Sequence, residues 1–167
     1  QGDTFLELGS GRGRGALFLS HFFHCSVIGI ERIPQFVKLS KHLAHKHHLE
    51  KASFICADML QATIPEATVI YLYGTCLKDP EISALVDRLK SPLPERPIFL
   101  LDGLNTPANL GLLIRSVWAA GASGIILPKK GCAPLNPLAV KASAGIAIHA
   151  PIWTCNTALE AIELLKG

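Results

Sequence analysis

The stretch FLELGSGRGRGALFLSHF, residues 5–22, decides the architecture. Its first residues form an apolar run that carries one acid, Glu7, and is short enough for a strand buried on both faces. Glycines at alternate positions, Gly9, Gly11 and Gly13, interrupt it, and a helical pattern over 14–23 follows. Glycine permits positive φ and removes the Cβ that would hold another group away from the backbone. A helix behind such a turn offers free N–H groups and the positive end of its dipole. Strand, glycine turn and helix in that order predict a parallel α/β unit whose turn can admit a ligand.

The rest of the chain repeats this rhythm. TFLELG (4–9), SVIGIE (26–31), SFICAD (53–58), TVIYLYG (68–74), PIFLLDG (97–103), GIILP (124–128) and HAPIW (149–153) predict seven strands. Most are continuously apolar, as strands covered on both faces are. Helices are expected over 14–23, 34–49, 80–91, 108–120, 137–146 and 156–166; in DPEISALVDRL, Asp79 is placed to cap and Pro80 to open the helix. The fold expected is α/β, a single doubly wound, mostly parallel sheet of about seven strands with helices on both faces. KSPLPERP (90–97), with three prolines and three charges, is the expected joint, a tight connection within one continuous sheet.

Bulk properties agree. The 167 residues are 49% apolar with a mean hydropathy of +0.34, which suits one domain with a sizeable core and excludes disorder. No apolar run reaches the ~20 residues of a membrane span, and nothing resembles a signal peptide. A soluble, cytoplasmic protein is expected. Cys25, Cys56, Cys76, Cys132 and Cys155 include no C-x-x-C pair and are read as reduced core residues. Residues 1–95 balance ten Lys/Arg against ten Asp/Glu, so residues 96–167, with six against three, supply the whole net charge of +3. That is an ordinary solvated face rather than a strong anion-binding surface.

The turn alone could serve a dinucleotide, a nucleotide or S-adenosylmethionine. A dinucleotide fingerprint wants Gly or Ala three positions after Gly11, where Arg14 stands, and no Walker lysine is present. ELGSGRG instead resembles the E-x-G-x-G-x-G motif of class I, Rossmann-like S-adenosylmethionine-dependent methyltransferases. That resemblance implies that Glu7 helps hold the methionine amino group and that the backbone of Gly9, Ser10, Gly11 and Gly13 faces the cofactor. It further implies Glu31, 22 positions after Gly9, on the ribose hydroxyls, and Asp58, with the Met59 N–H, on the adenine. An acid at one strand end is often a helix cap; three at successive strand ends, one before a triple-glycine turn, speak for the cofactor. LGSGRGRGALFLS, GIE and YGTCL together are similar to the non-SET histone lysine methyltransferases. By that analogy Tyr73 and Thr75 line the site, the alternative being strand-end packing and a turn.

From residue 97 the resemblance changes. LLDGLNTPANLGLLIRSVWAAGASGIILP and NPLAVKASAGIAIHAPI resemble the first part of SpoU/TrmH-type SPOUT RNA methyltransferases, with Asp102-Gly103, Pro107, Asn109-Leu110-Gly111, Arg115-Ser116, Ala119-Ala120-Gly121 and Lys141-Ala142-Ser143-Ala144-Gly145 in order. The resemblance implies Asn109 and Arg115 near the methylated ribose. Alternatively Asn109 caps its helix and Arg115 pairs with a carboxylate or lies along the surface. The later SPOUT cofactor motifs do not follow, so no complete trefoil knot is expected, and the chain reads as a recombined or designed chimera of the two families.

Other features carry less. His42, His45 and His48 share one helix without a carboxylate or cysteine partner, so a solvated face is expected and no metal site. Trp118 and Trp153 are read as core. The function expected is S-adenosylmethionine binding by a methyltransferase-derived domain, with Arg115, Asn109 and Tyr73 as the catalytic candidates should it transfer methyl groups. The alternatives are an inactive α/β scaffold, or RNA binding through Arg115, Lys129 and Lys130.

Overall fold

The structure, a computed structural model, describes residues 3–73, 77–88 and 97–165. The elements are β1 (Thr4–Leu8), α1 (Arg14–Phe23), β2 (Ser26–Glu31), α2 (Pro34–Lys46), β3 (Ala52–Cys56), β4 (Val69–Tyr73), α3 (Asp79–Arg88), β5 (Ile98–Asp102), α4 (Pro107–Ala119), β6 (Gly124–Pro128), α5 (Pro137–Ala142), α6 (Ile146–His149), β7 (Ile152–Cys155) and α7 (Ala158–Leu165). The seven strands form one sheet in the order β3-β2-β1-β4-β5-β6-β7, with helices on both faces as the apolar runs require. The chain divides into two compact units, 1–71 and 72–167. The expected joint at 90–97, apart from Pro97, and Thr75 and Cys76 lie outside the described residues, as does the side chain of Asp79.

In the first unit β1 pairs in parallel with β2, and β2 with β3, placing Glu7 opposite Gly29 and Leu8 opposite Ile30. Phe5, Leu6, Leu8 and Ile30 are fully buried, each worth about 1.5–3 kcal/mol. Helix α1 packs on β2, and α2 on β3. Helix α2 stops at Lys46, three residues short of the expected end, because His48 adopts φ 53°. The His48 N–H then bonds the His45 carbonyl and the Leu49 N–H the Ala44 carbonyl, a left-handed stop made without glycine.

In the second unit β5, β6 and β7 pair in parallel, with Phe99, Leu100 and Leu101 buried. The helix expected over 137–146 ends at Ala142. Ala144 at φ 53° and Gly145 at φ 82° close it by the same arrangement, through Gly145 N–H to Val140 O and Ala144 N–H to Lys141 O. The chain then makes the short α6, so the last strand begins at Ile152 rather than His149.

Edge positions correct two further expectations. β3 and β7 end the sheet, and Cys56 on β3 and Trp153 on β7 are exposed, not core. The Trp153 ring still lies across Gly124, where a Cβ would collide with it. Trp118 is half-buried. Cys25 and Cys155 are buried and Cys132 is half-buried; all four described cysteines are free. Among the described residues no helix is long and apolar enough to cross a membrane.

Candidate functional site

The glycine turn folds over the tip of β2. The Gly9 and Ser10 N–H groups both donate to the Ile30 carbonyl at 2.9 Å, and the Gly13 N–H closes the turn on the Ser10 carbonyl at 2.8 Å. Gly9, Gly11 and Gly13 adopt φ of 77°, 54° and 71°, the left-handed region that side chains disfavour. Their surroundings differ. A Cβ on Gly13 would lie 2.6 Å from Ser40 Oγ and 2.9 Å from Phe54 Cε1, so Gly13 is a packing glycine. One on Gly9 would meet the Met59 Sδ at 3.7 Å, and one on Gly11 would meet nothing within 4 Å. The backbone at Gly11 therefore faces open space.

Two buried carboxylates hold this turn. Glu31 Oε2 accepts from the Gly11 N–H and Oε1 from the Ile33 N–H, both at 2.8 Å. Each oxygen keeps a second acceptor site, so Glu31 fixes the turn and can still receive a diol. Glu7 reaches under α1, where Oε2 accepts from the Ala16 N–H at 2.9 Å. It thereby caps a helix whose N-cap, Gly13, has no side chain to do so. Burial pushes the Glu7 carboxyl up to about 7, the Ala16 hydrogen bond opposing the rise.

The other predicted residues fall around this frame. Asp58 is two residues beyond β3 and half-buried; its Oδ1 accepts from the Leu60 N–H at 2.8 Å, and its carbonyl from Gln61 and Ala62. Met59 lays its thioether over Gly9. The Ser10 hydroxyl faces the sheet rather than the open side, 2.8 Å from where a Gly29 Cβ would stand, and it is buried without a hydrogen-bond partner. Glu7, Gly9, Ser10, Gly11, Gly13, Glu31 and Met59 are thus brought together, with Asp58 beside Met59.

Sequence reasoning missed the supports of the turn. The Arg12 guanidinium lies 5.3 Å from the centre of the Phe36 ring, tying the turn to α2. A Cβ on Gly29 would meet Phe54 at 2.7 Å; the glycine interrupting SVIGIE was the available signal. Nothing local in the sequence pairs Arg12 with Phe36.

In the second unit Tyr73 ends β4 with 49% of its surface exposed. The N-cap of α4 is Thr106, so Asn109 stands inside the first turn, half-buried. Arg115 is exposed, and six positions along the helix put it about 9 Å and about 120° from Asn109. The two are not on one face. Lys129 and Lys130 follow β6, exposed, their N–H groups bonded to the Cys155 and Asn156 carbonyls. Gly111 and the Lys141–Gly145 segment meet each other: a Cβ on Gly111 would collide with the Ala139 carbonyl and lie 2.8 Å from Ala142 Cβ and 2.9 Å from Ser143 N.

The sequence profile described as "Methyltransferase domain" matches residues 5–94, and the profile described as "SpoU rRNA Methylase family" matches residues 96–167. A putative TrmH family tRNA/rRNA methyltransferase of Staphylococcus saprophyticus is 34% identical over 86 residues, 52% of this chain and 34% of the relative. The chain thus spans about a third of the length of that curated relative. Among solved structures, StiE O-MT residues 942–1257 align over 68% of this chain and 44% of that one, at 14% identity and a TM-score of 0.56. The O-methyltransferase of a trans-AT PKS multienzyme of Brevibacillus brevis, solved with S-adenosyl-L-homocysteine, aligns over 70% and 45%, at 14% identity and 0.53. At such identities the structures speak for the fold. Both family resemblances read from the motifs are borne out, and the profiles change over at residue 95.

Proposed function

The chain belongs to the methyltransferase-domain family through residues 5–94, and on that premise we propose that its first unit binds S-adenosylmethionine over the glycine turn. The observation that carries this is the clamp of Glu31 on the Gly11 N–H, beside a Gly11 whose missing Cβ leaves open space. The chain's residues fit the cofactor part by part. The spare acceptor sites of Glu31 suit ribose hydroxyls, the Asp58–Met59 segment suits the adenine, and the buried Glu7 suits an ammonium group. The cofactor supplies a methyl group on a positively charged sulfur, so an acceptor needs positioning more than activation. Asn109, Arg115 and Tyr73 are the candidates for that positioning.

The partner proposed for the second half is RNA, meeting Arg115, Lys129 and Lys130; the S. saprophyticus relative is named a tRNA/rRNA methyltransferase. We place the junction of the two ancestries within 92–97, where the profiles meet. The exposed free thiol of Cys56 suits a reducing, cytoplasmic setting.

A calorimetric titration with S-adenosyl-L-homocysteine tests the cofactor assignment. Gly11→Ala is expected to cost about 1 kcal/mol of stability from its positive φ, while weakening ligand affinity at least about tenfold because the methyl enters the open face. Absence of heat at millimolar ligand, with the protein folded, would overturn the assignment. The same absence would favour a second reading, an inactive scaffold in which Glu7 and Glu31 serve only to cap α1 and hold the turn, as their hydrogen bonds to Ala16 and Gly11 already do.

A further inference from the structure

On the first unit, away from the glycine turn, α1 and the end of α2 enclose a cleft of about 270 Å³. Leu17, Phe18, Phe22, Leu43, His47 and Leu49 line it, with His21 at the rim. Phe22 is 63% exposed and Phe18 39%. Their ring centres lie 4.7 Å apart at 41°, and His21 stands edge-on to Phe22 at 4.7 Å. The left-handed stop at His48 is what turns Leu49 back into this cleft. Two exposed phenylalanines one helical turn apart are a poor outer face for a helix that has buried its own stripe through Ala16 and Leu19.

Cations outnumber acids beside the cleft: exposed Lys46 precedes the lining His47, and exposed Lys51 lies two positions after the lining Leu49, with Glu50 the one acid between them. Six of the chain's seven histidines fall within residues 21–48, all exposed. Lys41, Lys46 and Lys51 are exposed on α2 and just after it, Lys51 donating to the His24 carbonyl at 3.2 Å and so joining the end of α1 to the start of β3. A cleft for an apolar peptide needs no such collar. Flat rings between cations are what a single nucleic-acid strand requires, its bases stacking on the rings and its phosphates meeting the cations.

We propose that the α1/α2 cleft is a binding site for single-stranded RNA, a base stacking against Phe22 and Phe18 and flanking phosphates meeting Lys46 and Lys51. The cleft does not depend on the cofactor assignment; the choice of RNA over DNA rests on the partner proposed above for the second half.

The test is fluorescence anisotropy of a labelled, mixed-sequence RNA strand of about 12 nucleotides, on the full chain. Phe22→Ala is expected to weaken binding about tenfold and Phe22→Tyr to restore it, melting temperatures being followed for both. Lys46→Ala and Lys51→Ala should each lower the slope of log affinity against log salt by about 0.7. Unchanged RNA affinity in a folded Phe22→Ala would overturn the proposal, as would binding lost with Arg115→Ala and untouched by Phe22. Tighter binding of the same sequence as DNA would overturn the RNA assignment. A wild-type dimer that Phe22→Ala dissociates would give the cleft to a protein and overturn it. Failure of the S-adenosyl-L-homocysteine titration with Phe22-dependent RNA binding intact would remove the cofactor reading and leave this one standing.

Discussion

Glu7→Gln is expected to make the protein more stable at about pH 8, with a melting temperature up to about 5–10 °C above wild type. The sign follows from burial. The Glu7 carboxyl is raised from 4.5 to about 7, so the folded state prefers the protonated form. The stabilisation associated with that proton is complete below about pH 4.5, declines as pH rises, and is lost above about pH 7. The interval corresponds to about 3 kcal/mol, an upper figure for one buried group. Glutamine keeps an acceptor for the Ala16 N–H and carries no charge, so the variant should lack this part of the pH dependence. Melting curves of both proteins at about pH 5 and about pH 8 decide it: parallel responses would show that Glu7 is not ionising in a dry site. The ligand should act in the opposite sense. An ammonium group brought beside Glu7 favours the carboxylate, so S-adenosyl-L-homocysteine affinity should rise with pH through about 7 in wild type and lose that rise in Glu7→Gln. A substitution that stabilises the chain and removes ligand affinity would mark Glu7 as a residue held at a cost for binding.

What could be read from the sequence was what neighbouring residues decide together. Continuous apolar runs gave all seven strands, and Pro34, Pro107 and Pro137 mark helix starts because proline's fixed φ and missing N–H suit the first turn. Helix ends were harder. α2 and α5 stop at His48 and Ala144, whose positive φ no composition rule announces. Exposure at Cys56 and Trp153 was hidden for a related reason: an apolar strand does not say whether it has a neighbour on one side or two. The site divides the same way. The glycines and Glu31 stand out by spacing along the chain, whereas Gly13 against Ser40 and Phe54, Met59 over Gly9, and Arg12 over Phe36 are contacts between segments 24 to 50 positions apart. The glycines share one motif but not one cause: Gly11 is open and Gly13 is packed.

Gly111→Ala separates packing from propensity, because the two predict opposite signs. In an exposed helix interior, alanine for glycine stabilises by about 0.5–1 kcal/mol. Gly111 instead sits where α4 crosses α5. Its missing Cβ is what lets the Ala139 carbonyl, Ala142 Cβ and Ser143 N come so close. Two of these are backbone atoms, which cannot rotate aside as a side-chain tip can, so α5 must shift bodily. Ser143 cannot follow freely. It is fully buried, its hydroxyl donates to the Val140 carbonyl at 2.8 Å, and the same oxygen accepts from the Ala147 N–H at 3.1 Å. The expected result is a loss of about 3 kcal/mol or more, read by urea unfolding with Trp118 and Trp153 fluorescence, both in the second unit. Ser143→Ala, which removes those two hydrogen bonds without a clash, should cost about 1–3 kcal/mol. A neutral or stabilising Gly111→Ala would mean that α5 moves away easily, and Asn109-Leu110-Gly111 would have to be explained by what it offers a substrate. A large loss means that this motif and Lys141–Gly145 form two sides of one helix contact. Their joint presence in the chain is then required by folding of the second unit, and neither can by itself be taken as a sign of catalysis.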